Sequence, residues 1–422
     1  MSINRVVILQ GFGLQLFKQV YPVKLHPVLS KGRNTRVNVQ SSFLLVYMKF
    51  RKSSSLATAL IQQTLPAEFA SLTDQEADDR ISAAKAALAD RVVILGHHYQ
   101  RDEIIKYADF TGDSYKLCLH AKARPQADYI VFCGVHFMAE SADILAQDHQ
   151  RVILPNLTAG CSMADMATYP QVEDMWATFQ DLGIAEATIP VTYMNSSAAI
   201  KSFTGEHGGA ICTSSNAARI IPWALDKGQK MVFLPDEHLG RNTCLAMGYT
   251  DDDMVVWDPT ISPEMNDLEA VKSRPIILWK GFCSVHGRFS VEQIERARVD
   301  YPGIKVIVHP ECRREVVEAA DDYGSTEKIT EVITESPAGS KWAVGTEINL
   351  VHRLAKQQPD KFIFCLDPIV CPCSTMYRIQ PTYLAWALSN LAEGRVVNEI
   401  IVSEKDKKWA SLALDRMLEL SV

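Results

Sequence analysis

The chain has 422 residues, of which 47% are hydrophobic and 22% charged, with a formal net charge of -7. That length is too great for one simple core and predicts two or three domains of a globular protein. The acidic balance and the lack of a basic block exclude general nucleic-acid binding, and no apolar run reaches the roughly 18 residues of a membrane span.

Residues 1–67 differ from the rest, with nine Lys or Arg and no Asp or Glu. An acid-free leader bearing Arg and Ser has the make-up of a transit peptide, which would direct the protein to a plastid. The favoured expectation is instead an N-terminal extension, with Met48 as a working start and a cytoplasmic protein. Residues 1–70 are expected to be poorly ordered. Folding begins near Ser71, where Thr73 and Glu76 form a capping box ahead of a helix through Ile81, Ala84 and Leu88.

From Arg91 onward one pattern recurs. A run of β-branched and apolar residues ends in a polar loop, and a helix follows. Val92–Leu95, Tyr129–Cys133, Ile189–Tyr193, Met231–Leu234, Ile276–Trp279, Val306–Val308, Trp342–Val344 and Phe362–Cys365 are such runs. Apolar strands alternating with helices predict parallel sheets covered on both faces. The fold class expected is α/β, with three similar parallel-sheet domains at residues 71–185, 186–272 and 273–422, the last carrying C-terminal helices. The similarity is one of layout rather than of shared sequence. In such sheets ligands bind at the carboxyl ends of the strands, so a central cleft is expected where three such edges meet.

Ten cysteines in a chain without a secretory signal are better read as metal-binding or catalytic thiols than as disulfides. Cys118, Cys133, Cys244 and Cys312 fit buried apolar positions. Cys161, in Gly160-Cys161-Ser162, and Cys283, in Phe282-Cys283-Ser284, lie in polar loops. Near the C terminus, Cys365, Cys371 and Cys373 fall within nine residues, and Pro368 and Pro372 keep this run out of regular structure. Pro381 then opens an amphipathic helix that stops at Gly394. No C-x-x-C pair exists, which excludes a zinc ribbon or a thioredoxin-type motif. One thiol from each domain suits an iron–sulfur cluster held between domains, and three thiolates leave one iron open as a Lewis acid. From the residues alone, Cys371 and Cys373 remain equal candidates in the third domain.

The polar strand ends form a second set. His97, His98 and Tyr99 follow the first strand, and Tyr193 and Asn195 follow a later one. Ser114, Ser214 and Thr326 lie at helix starts, where hydroxyls usually serve as caps but where helix N-termini also bind carboxylate and phosphate. His309 and Glu311 offer an imidazole and a carboxylate two residues apart, a reasonable acid–base pair. Asp236 to Arg241 is charged and fits interdomain ion pairing equally well.

These stretches, with Gly134-Val135-His136-Phe137-Met138-Ala139-Glu140, Tyr193-Met194-Asn195-Ser196-Ser197, Cys212-Thr213-Ser214-Ser215 and Pro235-Asp236-Glu237-His238-Leu239-Gly240-Arg241, resemble the quinolinate synthase family over about residues 80–420. The resemblance implies three pseudo-symmetric α/β domains and a [4Fe–4S] cluster held by Cys161, Cys283 and Cys373. Cys373 is preferred to Cys371 because Met376 and the following helix keep the family's spacing from it. The family often has a C-x-x-C-x-x-C run there, and this chain has Cys371-Pro372-Cys373. The implied reaction condenses iminoaspartate with dihydroxyacetone phosphate to quinolinate, with loss of phosphate and two waters. It places the chain in de novo NAD biosynthesis, with an expected functional coupling to L-aspartate oxidase. His97, Ser114, Tyr193, Asn195, Ser214 and Thr326 would grip substrate, with His309 and Glu311, and those last two would move protons. His97 and Tyr193 are also expected to be catalytic. Two other classes compete: a three-cysteine reductase or radical enzyme, which needs an electron donor or S-adenosylmethionine, and a non-enzymatic redox sensor or zinc protein.

Overall fold

The computed structural model describes residues 64–421 except 368, 370 and 371. Cys371 and most of the expected N-terminal extension therefore lie outside the described residues. Residues 64–70 depart from the expectation of poor order. Ala67–Ala70 is helical, and Phe69 is buried with the Arg80 guanidinium over its ring. Burying one phenylalanine face draws this turn onto the body of the protein.

Three α/β units follow. The first sheet contains β1 (Val92–His97), β2 (Phe110–Gly112), β3 (Tyr129–Cys133) and β4 (Arg151–Ile153). The second contains β5 (Thr188–Tyr193), β6 (Ala210–Cys212), β7 (Lys230–Leu234), β8 (Met254–Trp257) and β9 (Ile276–Trp279). The third contains β10 (Lys305–Val308), β11 (Asp322–Tyr323), β12 (Lys341–Gly345) and β13 (Phe362–Cys365). β14 (Glu399–Ile400) pairs antiparallel with β4, and the remaining pairs are parallel.

One order recurs in all three sheets. The strands run β2-β1-β3-β4, β6-β5-β7-β9 and β11-β10-β12-β13, with β14 and β8 added at the outer edges of the first two. Continuous apolar runs such as Val92–Leu95 and Met231–Leu234 are buried throughout, as parallel strands covered on both faces must be. The capping box at Thr73 and the helix Pro381–Ala392 form where the sequence predicts them.

The cut expected near residue 273 falls inside the second sheet. β9 pairs with β7 and β8, so it completes the second unit rather than opening the third. The cause is a detour, for β8 enters at the outer edge before the chain returns to place β9 beside β7. The C-terminal segment also leaves the third unit. The helix Pro381–Ala392 packs on Asp74–Leu88, and β14 extends the first sheet. The helix Glu404–Ser421 lies on the second unit's helix Ala198–Glu206. A Cβ at Gly205 would stand 1.9 Å from the Trp409 carbonyl oxygen, so only glycine permits this close crossing. Three units are thus laced together by one tail.

Candidate active site

Register converts the repeated strand order into equivalent residues. In each unit the first strand pairs with the second, so His97 lies opposite Gly112 and Tyr193 opposite Cys212. The third unit's register, continued by one residue, sets His309 opposite Gly324. His97, Tyr193 and His309 therefore share one position at the carboxyl end of a central strand. Tyr99, Asn195 and Glu311 share the position two residues on. Ser114, Ser214 and Thr326 share a third, two residues past the register partners Gly112, Cys212 and Gly324. All nine line one cavity, formed where the carboxyl ends of the three sheets converge.

The cysteines follow the same rule. Cys161, Cys283 and Cys373 are each followed by Ser, and each carbonyl accepts the amide four residues on, at 3.0, 2.9 and 3.0 Å. A short 3₁₀ turn begins three residues after each, at Ala164, His286 and Met376. A helix begins eight residues after each, at Tyr169, Val291 and Pro381. Cys371 precedes Pro372 and does not have this spacing. The units thus share sequence as well as layout, a Cys-Ser dipeptide eight residues before a helix, which was legible without coordinates. All three thiols line the cavity. Cys118, Cys133, Cys244 and Cys312 are buried, as is Cys212.

The hydroxyls at the helix starts are not spent on capping in two of the three units. Asp113 caps Ser114–Lys122 by accepting the Lys116 amide at 2.8 Å, and Ser325 caps Thr326–Glu335 by accepting the Lys328 amide at 3.3 Å. Ser114 and Thr326 come one residue later and line the cavity. Hydroxyls and helix N-terminal amides from different units, turned toward one space, suit an anion.

Glu311 is the centre of the polar network. Tyr193 donates to its Oε1 at 2.6 Å, and His286 Nδ1 lies 2.8 Å from its Oε2. Burial alone would raise this carboxyl, but the hydrogen bonds from His286 and Tyr193 hold it low and ionised. Burial pushes His97 and His309 down to about 3, so both imidazoles are neutral near pH 7. Burial and the charge of Glu311 raise the phenols of Tyr99 and Tyr193 well above their usual range.

Burial also pushes the Cys161 thiol up to about 12 and raises the Cys283 thiol well above its usual range. Both sulfurs nevertheless receive backbone N–H groups, Cys161 from Met163 and Ala164 and Cys283 from His286. The sulfur of Cys373 lies 3.4 Å from the Thr375 hydroxyl. Cys373 adds to the rise at Cys161, and Cys161 and Cys373 add to that at Cys283, so the three sulfurs lie near one another. Soft donors met by amide dipoles fit a thiolate-bound metal or iron–sulfur group, whose binding would release the thiol protons. Among the described residues, Cys283, His286 and Glu311 also gather donor atoms within 4.8 Å of one another. The imidazole and carboxylate there are already bonded to each other, which favours the three thiols as the ligand set.

Sequence reasoning gave no role to His286, Tyr99 or Thr346. The threefold register finds Tyr99 as the counterpart of Asn195 and Glu311. Nothing in the sequence singles out His286 or Thr346, since their partners are distant in the chain. Asp236 to Arg241 is a structural group. Asp236 caps the helix Glu237–Ala246, and Arg241 pairs with Glu237 and Asp251.

The family model described as Quinolinate synthetase A protein matches residues 79–419. The chain is 57% identical over 359 residues to the quinolinate synthase of Corynebacterium glutamicum, covering 85% of this chain and 91% of that one. It is 56% identical over 355 residues to that of Acidobacterium capsulatum, covering 83% and 95%. It is 54% identical over 358 residues to that of Streptomyces coelicolor, covering 84% and 91%. Since the matched span holds all three sheets and every residue of the threefold cradle, the chain belongs to the quinolinate synthase family of enzymes.

Proposed function

We propose that this enzyme condenses iminoaspartate with dihydroxyacetone phosphate to quinolinate, releasing phosphate and two waters. Cys161, Cys283 and Cys373 hold a [4Fe–4S] cluster, whose open iron supplies Lewis acidity toward a substrate oxygen. The observation that carries this reading is the meeting of three equivalent thiols and nine equivalent strand-end residues in a single cavity.

The remaining chemistry falls to side chains. Ser114, Ser214 and Thr326, each near a helix N-terminus, hold the carboxylates and the phosphate. His97 and Asn195 orient the bound substrates. Ionised Glu311 takes protons from carbon or nitrogen, and the Tyr193 phenol, already donating to it, returns them. Neutral His309, 3.8 Å from Glu311, offers one hydrogen-bond donor and one acceptor to substrate without adding charge to the site. Iminoaspartate hydrolyses readily in water, which supports functional coupling to L-aspartate oxidase as its source. Among the described residues no helix is long and apolar enough to cross a membrane, and the reading places the enzyme in the cytoplasm.

The test is anaerobic reconstitution followed by chromatographic detection of quinolinate from the two substrates. Near four irons per chain and quinolinate formation are expected. Cys161→Ser, Cys283→Ser and Cys373→Ser should each lose iron, while Cys371→Ser should keep it. A fully loaded protein that makes no quinolinate, or turns over only with an electron donor or S-adenosylmethionine, overturns the proposal.

A further inference from the structure

The loops that carry Tyr99, Asn195 and Glu311 run deep in the protein. Gln100, Ser196 and Cys312, each three residues past His97, Tyr193 or His309, are 0% exposed. A buried carbonyl beyond the end of a strand still needs a donor. The donors come from helices, and two of the three units use the same position. β3, β7 and β12 are each followed by a ten-residue helix, His136–Leu145, Glu237–Ala246 and Ile348–Gln357. The sixth residue of each is Ser141, Asn242 or Arg353, and each touches the strand-end loop of the next unit in the cycle.

Asn242 of the second unit donates through Nδ2 to the carbonyls of Pro310 and Cys312 in the third, at 2.9 and 2.8 Å. Arg353 of the third unit donates to the carbonyls of His98 and Gln100 in the first, at 2.8 and 2.6 Å. These are equivalent carbonyls, one and three residues past the strand-end histidine. They tie the chain on both sides of Glu311 and of Tyr99. Ser141 of the first unit meets Met194 of the second, with Oγ 3.6 Å from Sδ. Its hydroxyl donates to the Phe137 carbonyl of its own helix at 2.8 Å, so it holds no carbonyl of the neighbouring loop.

The second unit supplies the missing donor itself. The Met194 carbonyl accepts the Ser196 amide at 2.9 Å, and the Ser196 carbonyl accepts from Lys201 Nζ on the helix Ala198–Glu206. Lys201 is completely buried, and its ammonium lies 5.3 Å from the centroid of the Phe137 ring, which lines the cavity. A buried ammonium is costly unless it is bonded, and this one spends its charge on the same carbonyl that Asn242 and Arg353 take in the other units.

We propose that Asn242 and Lys201 are positioning residues which, with Arg353, form a three-part clamp on the carbonyls behind Glu311, Asn195 and Tyr99, so that helices aim each cavity loop. The inference rests on the reading of Glu311 as the group that takes protons and of Asn195 as one that orients substrate. It gives the two residues different kinetic signatures. Misaiming a proton-taking group lowers kcat, and misaiming a substrate-holding group raises KM.

The test uses the reconstituted full chain, with iron content measured for every variant, and combines kinetics with peptide-resolved hydrogen exchange. Asn242→Asp keeps the shape and replaces the donor by an acceptor. It should lower kcat at least tenfold with KM within about threefold, and speed exchange at residues 309–313 at least tenfold while residues 193–197 are unmoved. Lys201→Met should raise KM for at least one substrate about fivefold or more with kcat within about threefold, and speed exchange at 193–197 alone. Ser141→Ala, at the clamp position that holds no carbonyl, should leave kcat, KM and both loops within about twofold of wild type. A merely structural role predicts faster exchange throughout the chain and the same kinetic loss in both clamp variants, and either result overturns the clamp, as does unmoved exchange at the two loops. If Asn242→Asp fails to hold iron, Lys201→Met and Arg353→Met, read at residues 98–101, still decide the question. The exchange arm does not depend on turnover: wild-type protein that makes no quinolinate overturns the reaction, whereas loops that ignore the loss of their donors overturn the clamp alone.

Discussion

Arg353, on the helix Ile348–Gln357 of the third unit, grips the loop of the first unit that follows His97 and carries Tyr99. Its guanidinium donates to the carbonyls of His98 at 2.8 Å and Gln100 at 2.6 Å, and to Asp102 at 3.1 Å. The Arg353 side chain is 12% exposed and that of Asp102 42%. Arg353→Met keeps the aliphatic stem and deletes the fork. Each charge-assisted bond to a loop carbonyl is worth about 1.5 kcal/mol, the low end for such bonds, because the freed carbonyls regain some water. The half-exposed ion pair adds about 0.5 kcal/mol. The total loss is then about 3.5 kcal/mol. In a chain of this size 1 kcal/mol corresponds to about 1.3 °C, so Tm should fall by about 4.5 °C. Arg353→Lys offers a point charge that satisfies one carbonyl and should fall by about 2 °C. Quinolinate formation should fall further than stability does, at least tenfold in Arg353→Met, because Tyr99 rides on the freed loop and His97 adjoins it. Calorimetry and turnover on iron-matched samples check both. A Tm within 1 °C of wild type, or full recovery in Arg353→Lys, would show that the fork does not hold the loop.

Other substitutions test the site's supports. A Cβ at Gly281 would stand 2.2 Å from the Pro235 carbonyl oxygen, two residues before Cys283. Gly281→Ala should cost about 1–3 kcal/mol through forced displacement and lower the iron bound per chain; unchanged Tm and iron content would contradict the close approach. Glu327 joins the first and third units through His98 at 3.1 Å and Lys116 at 3.4 Å. The His98 hydrogen bond, acting against partial burial, holds its carboxyl down at about 2. A carboxyl lowered on folding stabilises above its unfolded pKa and loses that contribution as pH falls toward its folded value. The Tm gap between wild type and Glu327→Gln should therefore be steady from pH 6 to 8 and close between about pH 4.5 and 2; a gap that widens on acidification would reverse the assignment.

Local features were legible because local physics sets them. The Thr73–Glu76 box, the buried strand runs and the helix opened by Pro381 each need only a few adjacent residues to decide their backbone. His97, Tyr193 and His309, with Tyr99, Asn195 and Glu311 two residues on, line one cavity because each sits at or just past a strand end, and strand ends are visible as the point where an apolar run stops. The domain cut failed at β9, because nothing inside Ile276–Trp279 says which sheet it joins. Two apolar parallel strands present the same ladder of amides and carbonyls to any neighbour. Only the path of β8 around the sheet edge decides the pairing.

The same division holds for the site. The sequence by itself determined that three Cys-Ser turns, three strand-end pairs and three helix-start hydroxyls exist, for each is a short run of residues with its own backbone preference. Only the tertiary structure decided that His286 meets Glu311 and that Thr346 meets Tyr99, partners 25 and 247 residues apart in the chain. Such contacts depend on how whole sheets pack against one another, and packing is a property of surfaces that no single stretch of sequence contains.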